Sequence, residues 1–129
     1  MFFQRAYLAL TCEDSEMTTD SGKANNVVEL VSFKLKEGVS AEALLATNPA
    51  VQAYVTSLPG LLYRSVSLND ETNEWTDIVY WETLANAEHA SQVFMDSPAC
   101  QEMVALIDPD SVRMQHTEVF FSSCTDSAA

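Results

Sequence analysis

A histidine and several charged residues interrupt apolar segments of this 129-residue chain. His116 lies within the run Val112–Phe121, while Glu29 and Asp77 lie in two other runs rich in β-branched and aromatic residues. Imidazole titrates near neutral pH without perturbation, so His116 is the candidate general acid or base. A lone histidine on a strand is also commonly structural, and charged groups in such runs equally fit a buried ion-pair network.

Four strand-like runs and two helical stretches must position these residues. The runs are Val27–Leu35, Leu61–Leu68, Trp75–Glu82 and Val112–Phe121, with helices predicted at Ser40–Ser57 and Thr83–Ile107. Asn48-Pro49 predicts a break in the first helix with Asn48 as a second N-cap, and Ser97-Pro98 predicts a restart in the second. The order β-α-β-β-α-β predicts an α+β, ferredoxin-like fold, in which two helices cover one face of a four-stranded antiparallel sheet.

Alternation along the strands places the charged residues on the helix-covered face, if Trp81 and Phe33 share that face. That face would then carry Glu29, Arg64 and Asp77, together with His116 and Glu118 if the fourth strand follows the same parity. A cavity there would perturb their pKa values. We predict His116, Trp81 and Asp77 as catalytic residues. The predicted ligand-binding residues are Phe33, Glu29, Arg64, His89 and Phe94.

Some of these candidates have a second interpretation. His89 follows Trp81 by eight residues, so it points either into the same cavity or to solvent. Trp81 is either a core aromatic residue or a wall that stacks on a substrate, and the two roles are compatible.

The opposite face of the sheet is apolar enough to need a partner. Leu30, Ile78 and Tyr80 alternate onto it, and soluble monomers seldom expose such a contiguous patch. The sequence therefore predicts a symmetric homodimer with sheets packed face to face.

Composition narrows the classes of function. Nineteen acidic and six basic residues give a net charge of −13, which disfavours nucleic acid and anionic membrane surfaces as partners. The three cysteines lack zinc-type spacing and predict free thiols in a cytoplasmic protein. The opening apolar run is too short for a signal peptide, and no stretch suits a membrane span. No motif for a metal or a cofactor is present, and we predict neither.

We expect a flexible extension at 1–25, one domain at 26–121 and a tail at 122–129. Four segments of that domain resemble a known family: Phe33–Gly38 (FKLKEG), Leu58–Leu61 (LPGL), Trp81–His89 (WETLANAEH) and Met95–Gln101 (MDSPACQ). They resemble the dimeric α/β barrel superfamily, especially its antibiotic biosynthesis monooxygenase-like group. The resemblance implies the ferredoxin-like fold, a dimer and a pocket between sheet and helices.

The resemblance is compatible with several different functions. The superfamily includes cofactor-independent monooxygenases of aromatic polyketides, haem-degrading enzymes and small proteins without assigned activity. Haem degradation is disfavoured, because the position of its first-strand Asn falls on Val31 and residues 93–104 contain no Trp or His. Among the positions that recur in monooxygenases, Trp81 alone is matched.

Two functions therefore remain. The first is a cofactor-independent oxygenase that holds a small aromatic or hydrophobic molecule, with His116 as base and Trp81 as a stacking wall. The second is a non-enzymatic dimeric barrel of the uncharacterised or stress-response type, which binds a hydrophobic ligand or is simply stable.

Overall fold

A computed structural model describes residues 25–123 of the chain. Nearly all of the expected extension at 1–25 lies outside these residues, as do Cys12 and Cys124, so the predictions made for them stay untested. Within the described part, no helix has the length and apolar character needed to cross a membrane.

The described residues form one four-stranded antiparallel sheet with helices packed against it. The strands are β1 (Val27–Phe33), β2 (Leu61–Asn69), β3 (Glu74–Trp81) and β4 (Arg113–Glu118), and their order in the sheet is β2-β3-β1-β4. The helices are α1 (Ala41–Thr56), α2 (Leu84–Val93) and α3 (Pro98–Ala105). Short 3-10 turns occupy Phe94–Asp96 and Pro109–Ser111. The predicted ferredoxin-like α+β fold is confirmed.

Hydroxyl side chains start each helix. Ser40 accepts a hydrogen bond from the Ala43 backbone N–H, Thr83 from Asn86, and Ser97 from Cys100. Such bonds satisfy N–H groups that lack an intrahelical partner. The predicted restart at Ser97-Pro98 is confirmed, because α2 ends at Val93 and α3 begins at Pro98.

The predicted break at Asn48-Pro49 is wrong. α1 runs without interruption from Ala41 to Thr56, with Pro49 inside it. Val51 and Val55 lie beyond Pro49 and are buried in the same face as Leu44, so the packing of one continuous face outweighs the loss of a backbone donor. Asn48 therefore does not cap a second helix, and its side chain has another partner, described below.

A tight turn joins α1 to β2 at Leu58-Pro59-Gly60. Gly60 has φ of +87°, and a Cβ built there would lie 2.2 Å from Asn86 Cγ on α2. Glycine is therefore required both by the backbone conformation and by the close approach of α2.

Two apolar clusters fill the space between the sheet and the helices. One contains Phe33, Leu44, Val51, Trp75, Cys100, Met103 and Ile107. The other contains Val27, Val79, Trp81, Ala87 and Ala90. On β1, Glu29 separates Val27 of the second cluster from Phe33 of the first, and on β3 Asp77 separates Trp75 from Val79. A band of charged residues thus crosses the core between the clusters.

Candidate functional site

Arg64, Glu29 and His116 lie in one row of the sheet, and Asp77 lies two residues along β3 from Val79, the member of that row on β3. Arg64 on β2 lies opposite Val79 on β3, Val79 lies opposite Glu29 on β1, and Glu29 lies opposite His116 on β4. Directly opposed residues share a face of the sheet. Strand alternation therefore brings the predicted charged residues together on the helix-covered face, as expected from their parity.

Arg64 and Asp77 form a buried, bidentate ion pair. Arg64 Nη2 lies 2.9 Å from Asp77 Oδ2, and Arg64 Nε donates to Asp77 Oδ1 at 3.1 Å. Arg64 Nη1 also donates to Asn48 Oδ1 and Gln52 Oε1, each at 2.8 Å, and the arginine side chain is only 2% exposed. Such multiple bonding offsets the cost of burying the guanidinium group.

Sequence reasoning missed Asn48 and Gln52 as partners of this arginine. The available signal was their spacing of four residues, which places both amides on one face of an uninterrupted helix. Interpreting Asn48 as a cap removed that signal, because a break at Pro49 separates the two amides.

Glu29 is the centre of a second polar group. Trp81 Nε1 donates to Glu29 Oε1 at 3.1 Å, and His116 Nε2 lies 3.5 Å from the same oxygen. His116 Nε2 is buried and has no hydrogen-bond partner among the described residues. The histidine side chain as a whole is 21% exposed, since β4 is an edge strand. An imidazole nitrogen is therefore held beside a carboxylate with its hydrogen-bonding capacity unused.

Burial raises the pKa of both carboxyl groups in the band. For Glu29, burial is the largest influence, and the charge of His116 and the Trp81 N–H oppose it. For Asp77, burial again dominates, and the Arg64 guanidinium opposes the increase in pKa. The negative charge of Asp77 adds a small increase to the pKa of Glu29, so the two polar groups interact electrostatically.

The remaining predicted residues lie in different surroundings. Phe33 is 1% exposed and stacks on Trp75 with ring centroids 6.4 Å apart, and Phe94 packs half-buried against the same cluster. Trp81 is also 1% exposed, within the second cluster. His89 is exposed on α2, and Glu118 is exposed at the end of β4. The ligand-binding roles of these residues stay predictions.

Two concave regions of the described surface lie away from the charged band. One, of about 410 Å³, is at the end of β1 near the β2–β3 turn. The other, of about 420 Å³, is on the helix-free face and is lined in part by Leu30, Thr76 and Gln115. Across residues 25–123, no cluster of three or more His, Cys, Asp and Glu side chains is arranged to hold a metal ion.

Comparison with solved structures identifies the class of fold. A Bordetella bronchiseptica protein named as a candidate antibiotic biosynthesis monooxygenase matches with a TM-score of 0.63 and 15% identity, over 75% of this chain and 99% of that one. SnoaB, a cofactor-independent oxygenase from Streptomyces nogalater, matches with a TM-score of 0.61 and 13% identity, over 77% and 97%. A dimeric protein of ferredoxin-like fold from Bacteroides fragilis matches with 0.54 and 19%, over 73% and 96%.

These likenesses establish the fold of the antibiotic biosynthesis monooxygenase-like proteins, as the sequence resemblance implied. No known family profile and no curated protein matches the chain. Since one fold carries many unrelated activities, function must be argued from the site itself.

Proposed function

We propose that this chain is a homodimeric, cofactor-independent oxygenase of small aromatic molecules, with Glu29 and His116 as its proton-transferring pair. The observation that carries the proposal is His116 Nε2, which is buried, lacks a hydrogen-bond partner among the described residues and lies 3.5 Å from Glu29 Oε1. An imidazole placed beside a carboxylate can act as a general base, because the carboxylate stabilises the imidazolium that forms.

The proposed reaction begins with removal of a proton from an electron-rich aromatic substrate that bears an activated CH2 group. His116 Nε2 takes this proton, and the resulting carbanion transfers electrons to O2. In the complete reaction the CH2 group loses two hydrogens and gains one oxygen atom, while the second oxygen atom leaves as water. The carbon is oxidised by four electrons and O2 is reduced by four, so the step needs no further reductant.

The neighbouring residues are assigned supporting roles in this proposal. Trp81 donates its indole N–H to the Glu29 carboxylate and so fixes its position. The ion pair of Asp77 and Arg64 provides the charged groups on the other side of Glu29. The aromatic substrate approaches His116 from the exposed side of β4, with Phe33, Phe94 and His89 as the predicted ligand-binding residues. The fold shared with SnoaB, which is described as a cofactor-independent oxygenase, supports the reaction class.

The homodimer is part of the same proposal. The helix-free face presents the partly exposed Leu30, Ile78 and Tyr80, and a ring contact joins Tyr63 and Tyr80 with centroids 6.0 Å apart. A second copy packed face to face would cover this apolar surface. The dimeric Bacteroides fragilis protein of the same fold supports this assembly. A cytoplasmic location is proposed with it, supported by the buried free thiol of Cys100.

Oxygen uptake tests the proposed reaction directly. Anthrone, whose CH2 group lies between two aromatic rings, is supplied to the protein in an oxygen electrode. We expect saturable uptake, and we expect His116→Gln to lower the rate by about 100-fold because a general base contributes at least that much. The control is Glu88→Gln, which changes an exposed side chain on α2 that has no role in the proposal and should preserve the rate.

The outcomes of this experiment separate two functions. Loss of activity in His116→Gln but not in Glu88→Gln supports the oxygenase, provided that both variants unfold at the wild-type denaturant concentration. Equal rates in all three proteins contradict the role of His116. No uptake by a wild-type dimer favours the non-enzymatic dimeric barrel, for which the specific observation is the tight packing around Trp81 and Phe33.

A further inference from the structure

Two lysines converge on the concave region at the end of β1, which we call the lysine pocket. It has a volume of about 410 Å³, and its wall includes Lys34, Lys36, Leu68, Thr72, Asn73 and Trp75. Lys34 is five residues beyond Glu29, roughly 16 Å along an extended chain. The pocket is therefore separate from the Glu29–His116 pair.

The charge of the lysine pocket contrasts with that of the chain. Only six Lys and Arg residues accompany nineteen acidic ones, yet two of the six line this one surface. The ion pairs within residues 25–123 are Arg64–Asp77 and His116–Glu29, so neither Lys34 nor Lys36 forms an ion pair with a described carboxylate. Both lysine side chains are exposed and line the same pocket, so an anion bound there is attracted by two positive charges.

The wall of the lysine pocket combines apolar and polar residues. Val39 and Leu68 provide accessible apolar surface, whereas Trp75 is only 4% exposed and stacks on Phe33 in the core. Thr72 and Asn73 provide hydroxyl and amide groups from the β2–β3 turn. A flat apolar body with a negatively charged end matches this arrangement.

The turn that carries the polar side is fixed by local hydrogen bonds. Asn69 Oδ1 accepts from the backbone N–H groups of Glu71 and Thr72, and the Asn73 N–H donates to the Asn69 carbonyl oxygen at 2.7 Å. Asn73 has φ of +63°, a left-handed conformation that asparagine tolerates. The β2–β3 turn is thus held in place by its own hydrogen bonds, so its part of the pocket need not be ordered on binding.

From these observations we infer that the lysine pocket binds a small aromatic carboxylate. The carboxylate is placed at Lys34 and Lys36, and the aromatic ring lies against Val39 and Leu68. This site is independent of the oxygenase proposal, because it uses none of the residues assigned to proton transfer.

Calorimetric titration with 1-naphthoate tests the site, and the indole N–H resonance of Trp75 reports where the ligand binds. We expect saturable binding that shifts this resonance and weakens as salt is added. The double variant Lys34→Met, Lys36→Met should lower the affinity by about tenfold or more, since two charged contacts are lost. The neutral 1-naphthamide should bind the wild-type protein more weakly by a similar factor.

Arg113→Met is the matched control, because it removes one positive charge from an exposed position outside the lysine pocket. It should leave naphthoate affinity within about twofold of wild type. The inference is overturned by unchanged affinity in the double lysine variant, by equal binding of 1-naphthamide, or by the absence of saturable binding. Equally tight binding of inorganic phosphate would overturn the inference that the ligand is aromatic, because the apolar wall would then contribute nothing to the affinity. His116→Gln should bind naphthoate normally, whatever its oxygenase activity.

Discussion

At the scale of single residues, the pKa of Glu29 is influenced by burial and by several neighbouring side chains. Burial raises its pKa above the ordinary value of 4.5, while His116 and the Trp81 N–H act in the opposite direction and Asp77 adds to the increase. In the folded protein Glu29 therefore keeps its proton at pH values where the unfolded chain has lost it. By linkage, this carboxyl group stabilises the fold fully below about pH 4.5 and loses that contribution as pH rises through its folded pKa.

Replacing Glu29 by Gln should remove the loss of folding stability that occurs as pH rises through the folded pKa of Glu29. The amide oxygen of Gln still accepts from Trp81, so the packing is preserved while the titration is abolished. We expect the stability of Glu29→Gln relative to wild type to be higher at pH 7.5 than at pH 4.5, as measured by urea unfolding across this range. Glu88→Gln, at an exposed position on α2, provides the control and should follow the wild-type curve. Parallel curves for Glu29→Gln and wild type would show that Glu29 titrates alike in the folded and unfolded states.

The placement of the charged residues on one face of the sheet could be predicted from the sequence. Strand alternation was sufficient to place Glu29, Asp77, Arg64 and His116 on one face, because side chains alternate strictly along a strand. The distances and partners required the fold, since Arg64 and Gln52 come together only after α1 docks on the sheet. The lysine pocket was also not predicted, because its lysines and the β2–β3 turn are far apart in sequence.

At the scale of elements, Pro49 inside α1 is the clearest local conflict. A proline in a helix interior lacks the N–H that would bond to the carbonyl of Leu45 and crowds that carbonyl group. Pro49→Ala should raise the free energy of unfolding by about 2 kcal/mol. Alanine stabilises the helix interior relative to proline, and the greater flexibility of the unfolded variant offsets a small part of that stabilisation.

Pro59→Ala is the comparison for this prediction. Pro59 lies in the turn before Gly60 rather than in a helix, so its removal should lower stability by roughly 0.4–1 kcal/mol. Chemical denaturation of both variants measures the two effects. A loss of stability in Pro49→Ala would mean that the proline favours the native α1 more than it disrupts it.

The elements themselves were largely predictable because their signals are local. Ser40, Ser97-Pro98 and Gly60 are capping and turn residues whose effects act within a few positions, and the strands showed β-branched runs. The continuity of α1 was not predictable in this way. It depends on Leu44, Val51 and Val55 packing on one sheet, which is a tertiary effect that overrides local preference.

At the scale of the whole molecule, the helix-free face of the sheet determines assembly in our proposal. Ile78 lies on the central strand β3 of that face, opposite Leu30 on β1. Ile78→Glu should place a charge in the proposed interface and convert the dimer to a monomer, because burying an unpaired charge there is energetically unfavourable. Sedimentation equilibrium should then give a mass near the monomer value of 14.2 kDa.

The control for this prediction is Leu45→Glu, which changes a leucine that is 50% exposed on α1. It should leave the dimer mass unchanged. A wild-type protein that sediments as a monomer, or an Ile78→Glu variant that stays dimeric, would contradict the face-to-face assembly.

The position of β4 in the sheet has a consequence for how the Glu29–His116 pair can open. Glu29 lies on β1, which is held by strands on both sides, whereas His116 lies on an edge strand whose one neighbour in the described sheet is β1. Edge strands fray at lower free energy than central ones. The acid therefore lies on a central strand, and the base lies on one of the two edge strands, which open more easily. Local fraying of β4 can expose the imidazole to an incoming molecule while both apolar clusters remain packed.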